Sequence, residues 1–238
     1  MRGMRLAAQR IENPDVEPRK CPKARGRNVA EVAGIGEIAE AKAERRDIAV
    51  LSAMDMVPRE RFVGEGQGAL AYRDTIVPLG GGRGLNPLIA TGRLLDAADP
   101  QPGERVLVIG AGTGYVVALF VALGCIVTAL DEAPLIARAK TALGDVAGVS
   151  FVEGSLAEGA PAGAPYDIVY IDGAVEHVPL AIVEQLVEDG RLVTAVLERG
   201  VSRLAIGRRA GTSIGLRAFA DVDTLPLPGF SAAPAFTF

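Results

Sequence analysis

Hydrophobic and polar positions along this chain fall into two periods that alternate. Short, mostly apolar runs occur at 105–109 (RVLVI), 125–130, 149–152 and 166–171. Such runs predict parallel strands covered on both faces, because they lack the in–out alternation of a half-exposed sheet. Between and after them, longer apolar segments bounded by glycine or proline predict helices at 114–123, 133–143 and 178–188. A further strand is predicted over 191–197, and 202–220 reads as an antiparallel pair around Gly211-Thr212. The alternation predicts an α/β fold, a doubly wound sheet with right-handed crossovers and a C-terminal antiparallel hairpin. Two adjacent strands are expected to run against the parallel set.

The first part of the chain reads differently. Residues 29–55 are rich in Ala and Glu, with Ile35, Ile38, Ile48, Leu51 and Met54 near helical spacing, and predict a helix that leaves at Pro58. Residues 59–87 are glycine-rich and predict an irregular loop, which at that length is usually functional. A helix is predicted at 88–98. Residues 1–28 carry many Arg and Lys and read as a surface extension rather than an arm for an acidic partner. The expected organisation is an extension over 1–50, partly helical, and one domain over 51–238. The apolar Phe236 and Phe238 are expected to dock on that domain.

Composition narrows the classes. With 49% apolar residues, the 238-residue chain has material for a sizeable core. A formal charge of −4 gives no basic footprint, so a nucleic-acid partner is not expected. The apolar run 116–130 is interrupted by Gly124 and is short for a membrane span, and no apolar signal region follows Met1. Cys21 and Cys125 form no metal pattern, and a disulfide between a polar stretch and an apolar strand is not expected. A cytoplasmic setting and no metal follow from that usage.

The chemistry concentrates in 105–131, which reads as strand, glycine turn, helix, strand and acid. The turn is Gly110-Ala111-Gly112-Thr113-Gly114-Tyr115. A dinucleotide fingerprint is G-x-G-x-x-G with pyrophosphate at the helix start. Here Tyr115 stands in place of its third glycine, which favours a nucleoside without phosphate such as S-adenosylmethionine. Asp131 ends the next strand, placed to accept hydrogen bonds from ribose hydroxyls, and Glu132 follows it. Asp172 ends the 166–171 strand at the carboxyl edge, where such sheets bind ligands. A helix-capping role is equally open to it. His177 is the only histidine and reads as structural or superficial.

The stretches MVPRERFV (56–63), AYRD (71–74), VPLGGG (77–82), VLVIGAGTGY (106–115), APYDIVYIDGAVEHVP (164–179) and EQLVEDGRLV (184–193) follow one another in this order. Together they resemble the protein-L-isoaspartate O-methyltransferases over about 56–196. The resemblance implies a seven-stranded Rossmann-like methyltransferase sheet with helices on both faces. It implies S-adenosylmethionine as cofactor, held by Gly110, Ala111, Gly112, Gly114, Tyr115, Asp131 and Glu132, with Ser155 and Leu156 flanking adenine and Asp172 nearby. The partner implied is a damaged protein or peptide, methylated on the side-chain carboxylate of an isoaspartyl residue. That ester can then close to a succinimide and reopen to aspartate.

The pattern also departs from the family. Its Thr-Ile-Ser run is here Gly84-Leu85-Asn86, so Asn86 stands at the serine beside the methyl acceptor. Arg83, just before, is a candidate for attracting a substrate carboxylate. Gly81 replaces a common histidine, Gly154-Ser155-Leu156 replaces Gly-Asp-Gly, and Asp172-Gly173-Ala174-Val175 replaces Thr-Ala-Ala-Ala. These departures leave a second reading open, a diverged relative that binds the nucleoside without catalysis or methylates another acceptor. A carboxylate acceptor, with pKa about 4, is ionised at neutral pH and needs no base. The missing base triad is therefore compatible with carboxyl methylation.

Overall fold

The computed structural model describes residues 47–232. Cys21, most of the predicted 29–55 helix, Phe236 and Phe238 lie outside that range. The chain begins there with helix α1 (47–56) and continues through two 3-10 turns, Arg59–Phe62 and Gly68–Leu70. A small hairpin follows, β1 (Val77–Gly80) and β2 (Arg83–Leu85), then helix α2 (Leu88–Ala98). The predicted irregular loop 59–87 therefore contains an antiparallel pair. Its turn uses Gly80, Gly81 and Gly82, all at positive φ, where only glycine sits without strain.

The main sheet comes next in the predicted rhythm. It comprises β3 (Arg105–Ile109), helix α3 (Tyr115–Ala122), β4 (Ile126–Asp131), helix α4 (Ala133–Leu143), β5 (Val149–Glu153) and β6 (Tyr166–Val175). Helix α5 (Leu180–Val183), β7 (Leu186–Glu198), β8 (Val201–Ala210), β9 (Ser213–Ile214) and β10 (Arg217–Asp221) complete it. The spatial order is β10-β8-β7-β6-β3-β4-β5, with β9 paired to β8 off that path. Strands β3 to β7 are mutually parallel, while β8 is antiparallel to both β7 and β10. One strand, β8, thus opposes the parallel set, not two. The chain reverses twice, so β10 points with β7 again.

Alternate residues of the central strands feed two cores. Val106, Val108, Ile168 and Tyr170 pack on one face with α1, α2 and α3, including Leu94, Leu119 and Phe120. The Phe120 and Tyr170 rings meet edge-on, 5.5 Å apart. Leu107, Ile109, Val169 and Ile171 feed the other face, where the cover is thin. There the β5–β6 crossover is two 3-10 turns, Leu156–Glu158 and Pro161–Gly163, and the β6–β7 crossover is the single turn α5. The predicted 178–188 helix is cut short because β7 begins at Leu186. Leu227 and Phe230 complete this second core, so the C-terminal residues stand where a longer helix would otherwise cover the sheet. β6 also runs past its predicted end at 171 to Val175, held by Ala174 pairing with Ala195 and Pro226.

Candidate functional site

The site lies at the carboxyl ends of β3, β4 and β6. Its floor follows from local sequence. Gly110, Gly112 and Gly114 take φ of 79°, 56° and 97°, turning the chain from β3 into α3 in a way that side chains resist. Asp131 ends β4 with no exposed surface. Its Oδ2 accepts a hydrogen bond from the Gly112 amide at 2.7 Å, and its Oδ1 one from the Glu132 amide at 2.8 Å. Arg83 of β2 closes on the same carboxylate, Nη1 to Oδ1 at 2.6 Å and Nη2 to Oδ2 at 2.8 Å. This two-pronged fit is the strongest arrangement for such a pair. A carboxylate this deep requires a complete donor set to offset its lost hydration.

A roof built from distant segments covers this floor. The β1–β2 hairpin places Leu79 against Gly112, 3.5 Å from where a Cβ would stand. The C-terminal segment 224–230 crosses the end of β6 as a strap. Leu225 accepts from the Ala174 amide at 2.7 Å, and the Leu227 amide donates back to Ala174 at 2.9 Å. The Leu225 amide also donates to Asn86 Oδ1 at 3.0 Å. Leu227 drops its methyls onto Gly110, 3.1–3.2 Å from its Cβ position, beside Arg83 Nη2 at 3.4 Å. All of 110–115 is consequently buried.

Between floor and roof lies a buried polar cluster. Asn86 Nδ2 donates to Asp172 Oδ1 at 2.9 Å. Burial pushes the Asp172 carboxyl up to about 6, partly opposed by the Asn86 hydrogen bond and by Arg59 and Arg83. Arg59 is fully buried, donates Nη2 to the Asn86 carbonyl at 2.7 Å, and lies 4.7 Å over the Tyr115 ring. Its Nε and Nη1 are buried without a hydrogen-bond partner. Arg59 was not among the residues singled out from sequence. The available signal was an arginine next to Pro58, inside a stretch otherwise bound for the core at Val57 and Phe62.

The sequence of the protein-L-isoaspartate(D-aspartate) O-methyltransferase family matches residues 37–229. The chain belongs to that family. It is 35% identical over 190 residues to protein-L-isoaspartate O-methyltransferase 1 of Rhodopseudomonas palustris, covering 77% of each chain. It is 33% identical over 187 residues to the Roseiflexus enzyme of the same designation, covering 77% of this chain and 86% of that one. A solved protein-L-isoaspartate O-methyltransferase superposes with a TM-score of 0.69 at 20% identity, covering 80% of this chain and 66% of that one. A Plasmodium falciparum structure of that kind, in complex with S-adenosyl-L-homocysteine, superposes at 0.66 with 18% identity, covering 79% and 97%. At those identities the superpositions establish the fold. Its mostly parallel sheet and C-terminal antiparallel reversal are those expected from sequence.

The structure brings some of the site residues expected from sequence together and separates others. Gly110, Ala111, Gly112, Gly114, Asp131 and Glu132 come together around the β3 and β4 ends, with Glu132 exposed. Asn86 and Asp172 meet directly. Tyr115 turns its ring into the core against Phe62, 5.7 Å away, so only its backbone faces the loop. Leu156 is buried in the second core, which also holds Leu130 and Leu227, while Ser155 beside it is exposed. Arg83 lies on Asp131 and not over Asn86. His177 is exposed. In kind, these residues fit an adenosyl ligand, with a glycine turn at a helix start and a buried carboxylate at the strand end. In this arrangement the chain's own Arg83 and Leu227 stand over both features.

Proposed function

We propose that this chain is an S-adenosylmethionine-dependent O-methyltransferase that acts on the carboxylate of L-isoaspartyl residues in damaged proteins or peptides. The observation that carries the reading is the family match across 37–229, which spans the glycine turn, Asp131 and the strap. S-adenosylmethionine supplies an electrophilic methyl on sulfur. Gly110, Ala111, Gly112 and Gly114 give a backbone that a ligand can approach closely, and Asp131 with Glu132 offers carboxylate oxygens to ribose hydroxyls. Ser155 and Leu156 border the same end of the sheet, next to β5.

Asn86 and Asp172 define the acceptor side. The Asn86 side-chain amide, held by Asp172 and the Leu225 amide with Arg59 on its backbone carbonyl, is the donor for an incoming carboxylate. The acceptor arrives ionised and needs no base, so the protein's part is to orient it and exclude water. Arg83 reaches a carboxylate substrate only when it leaves Asp131. We take residues 1–50 as an extension and 51–238 as the catalytic domain. Among the described residues no helix is long and apolar enough to cross a membrane. The buried free thiol of Cys125 suits a cytoplasmic protein.

Transfer of labelled methyl to an isoaspartyl peptide, compared with the same peptide carrying normal aspartate, tests the reading. Base-labile label on the isoaspartyl peptide alone is expected. Label on neither peptide, or equally on both, would overturn isoaspartyl methylation.

The Arg83–Asp131 pair favours a second reading, a relative that no longer turns over because its ribose acid is held internally.

A further inference from the structure

Two carboxylates stand at the same edge of the sheet and are supplied differently. Asp131 collects four hydrogen bonds, two from Arg83 and one each from the Gly112 and Glu132 amides. Asp172, only 9% exposed, accepts one, from Asn86 Nδ2 to its Oδ1. Among the described residues Asp172 joins no salt bridge. Asn86 is half used as well. Its Oδ1 accepts from the Leu225 amide, and its Nδ2 carries two hydrogens, of which Asp172 takes one. A buried carboxyl with so few donors favours its neutral form, and the neutral form has an O–H to give. The Asn86–Asp172 pair therefore offers a spare N–H and, once Asp172 is protonated, a spare O–H on the group bonded to it.

We propose that the protonated Asp172 carboxyl and the Asn86 side-chain amide form a two-donor fork for the acceptor carboxylate, so that Asp172 takes up a proton when the substrate binds at or above neutral pH. The inference rests on the isoaspartyl reading of the same site. An acceptor oxygen on the second Nδ2 hydrogen lies about 5 Å from Asp172 Oδ1, given ordinary N···O distances. Two ionised carboxylates that close in a buried site repel each other, and one proton held between them removes the repulsion. The proton goes to Asp172, which burial has already pushed up to about 6, and not to an acceptor with pKa about 4. The groups facing Asp172 are Arg59 of the first 3-10 turn, Arg83 of β2 and Asp131 of β4, with the Tyr170 phenol on its own strand. The two arginines favour its charged form and Asp131 opposes it. An arriving carboxylate adds to Asp131 and tips the balance. Methyl transfer forms the O–CH3 bond as the S–CH3 bond breaks, its electron pair staying on sulfur, and leaves the acceptor a neutral ester. Asp172 then faces no acceptor charge, and its proton returns to water.

The test uses the full chain with S-adenosylhomocysteine, an isoaspartyl peptide as probe, and calorimetry in buffers of different ionisation enthalpy, which counts protons taken up on binding. Uptake of about one proton per peptide is expected at pH 8, where free Asp172 is ionised, and close to none at pH 5. Affinity is expected to fall by about tenfold per pH unit above pH 7, as one linked proton requires. Asp172→Asn keeps a donor without a charge, so its affinity is expected to be the same at pH 5 and pH 8, with no uptake. Labelled methyl transfer to the same peptide separates the two ways to fail. No uptake by the parent at pH 8, with transfer intact, overturns the fork and leaves isoaspartyl methylation standing. Uptake that survives in Asp172→Asn also overturns it, because the proton then goes elsewhere. If the variant does not fold, the parent's uptake at pH 8 against pH 5 decides alone. Neither binding nor transfer between pH 5 and pH 8 makes the fork and the isoaspartyl reading fall together.

Discussion

The floor and the roof of this site are built by different rules. Floor contacts span short stretches of chain, and the Gly112–Asp131 bond joins residues 19 apart. Roof contacts reach much further: 48 residues for Arg83–Asp131, 86 for Asn86–Asp172 and 139 for Leu225–Asn86. The floor repeats a strand–turn–helix–strand unit that any covered parallel sheet can use. The roof depends on small residues at Gly84, Gly110 and Gly173 that admit Leu225 and Leu227. The two meet at Asp131, which accepts from the Gly112 amide of the floor and from Arg83 of the roof.

The largest expected effect comes from cutting that shared point. Asp131→Ala removes the acceptor for Arg83, the Gly112 amide and the Glu132 amide together. Breaking a buried pair and leaving one charge without its partner costs about 4 kcal/mol, read as a loss in urea unfolding free energy. A loss below about 1 kcal/mol, the range of an exposed pair, would show that floor and roof are not joined there. Leu227→Ala touches only the roof. It is expected to cost about 2 kcal/mol, the low end for a buried leucine, because a strap can relax into the gap as a strand cannot. A loss as large as in the parallel core would make the roof part of one rigid unit.

The smallest effect is a pH-dependent one. Asp172 has its folded pKa raised to about 6 from 3.8, so the folded state holds the proton more tightly than the unfolded state. Its favourable contribution is present in full below the unfolded value, is lost as pH rises through about 6, and is constant above. Asp172→Asn keeps an acceptor for Asn86 and removes the charge. Melting temperature is expected to rise by a few degrees relative to the parent at pH 8, with no gain below pH 4. The same gain at both pH values would mean that the buried charge is not the cause.

The pattern of apolar runs placed β3, β4 and β6 within a few residues, because a strand inside a sheet covered on both faces is mostly apolar, and it placed the edge strand β5 by Val149, Phe151 and Val152. It overestimated α5, since Leu186 and Val187, which extend the apolar spacing of the predicted helix, are drawn into β7 where Leu186 pairs with Tyr166 of β6. The β1–β2 hairpin hid inside a glycine-rich stretch whose pairing is set by its turn and not by apolar alternation. On the site, Asp131 and the glycine turn were legible, and so was the Asn86 position. The charge of Arg83 is plain in the sequence, but its direction depends on a carboxylate far along the chain. Tyr115 stands next to the glycine turn in sequence, while its ring follows the helix face into the core. Arg59 escaped because a lone arginine in an apolar stretch has no local pattern.

The sequence by itself determined the sheet, the glycine turn and the acid at the end of β4, because each depends on neighbours a few residues away and on burial that apolar runs announce. Only the tertiary structure decided what stands over that turn. The Arg83 pairing, the Asn86–Asp172–Arg59 cluster and the strap on Gly110 and Gly173 are contacts between segments tens to more than a hundred residues apart. They exist because folding brings those segments to one edge of the sheet, where complementary size and charge select the partner.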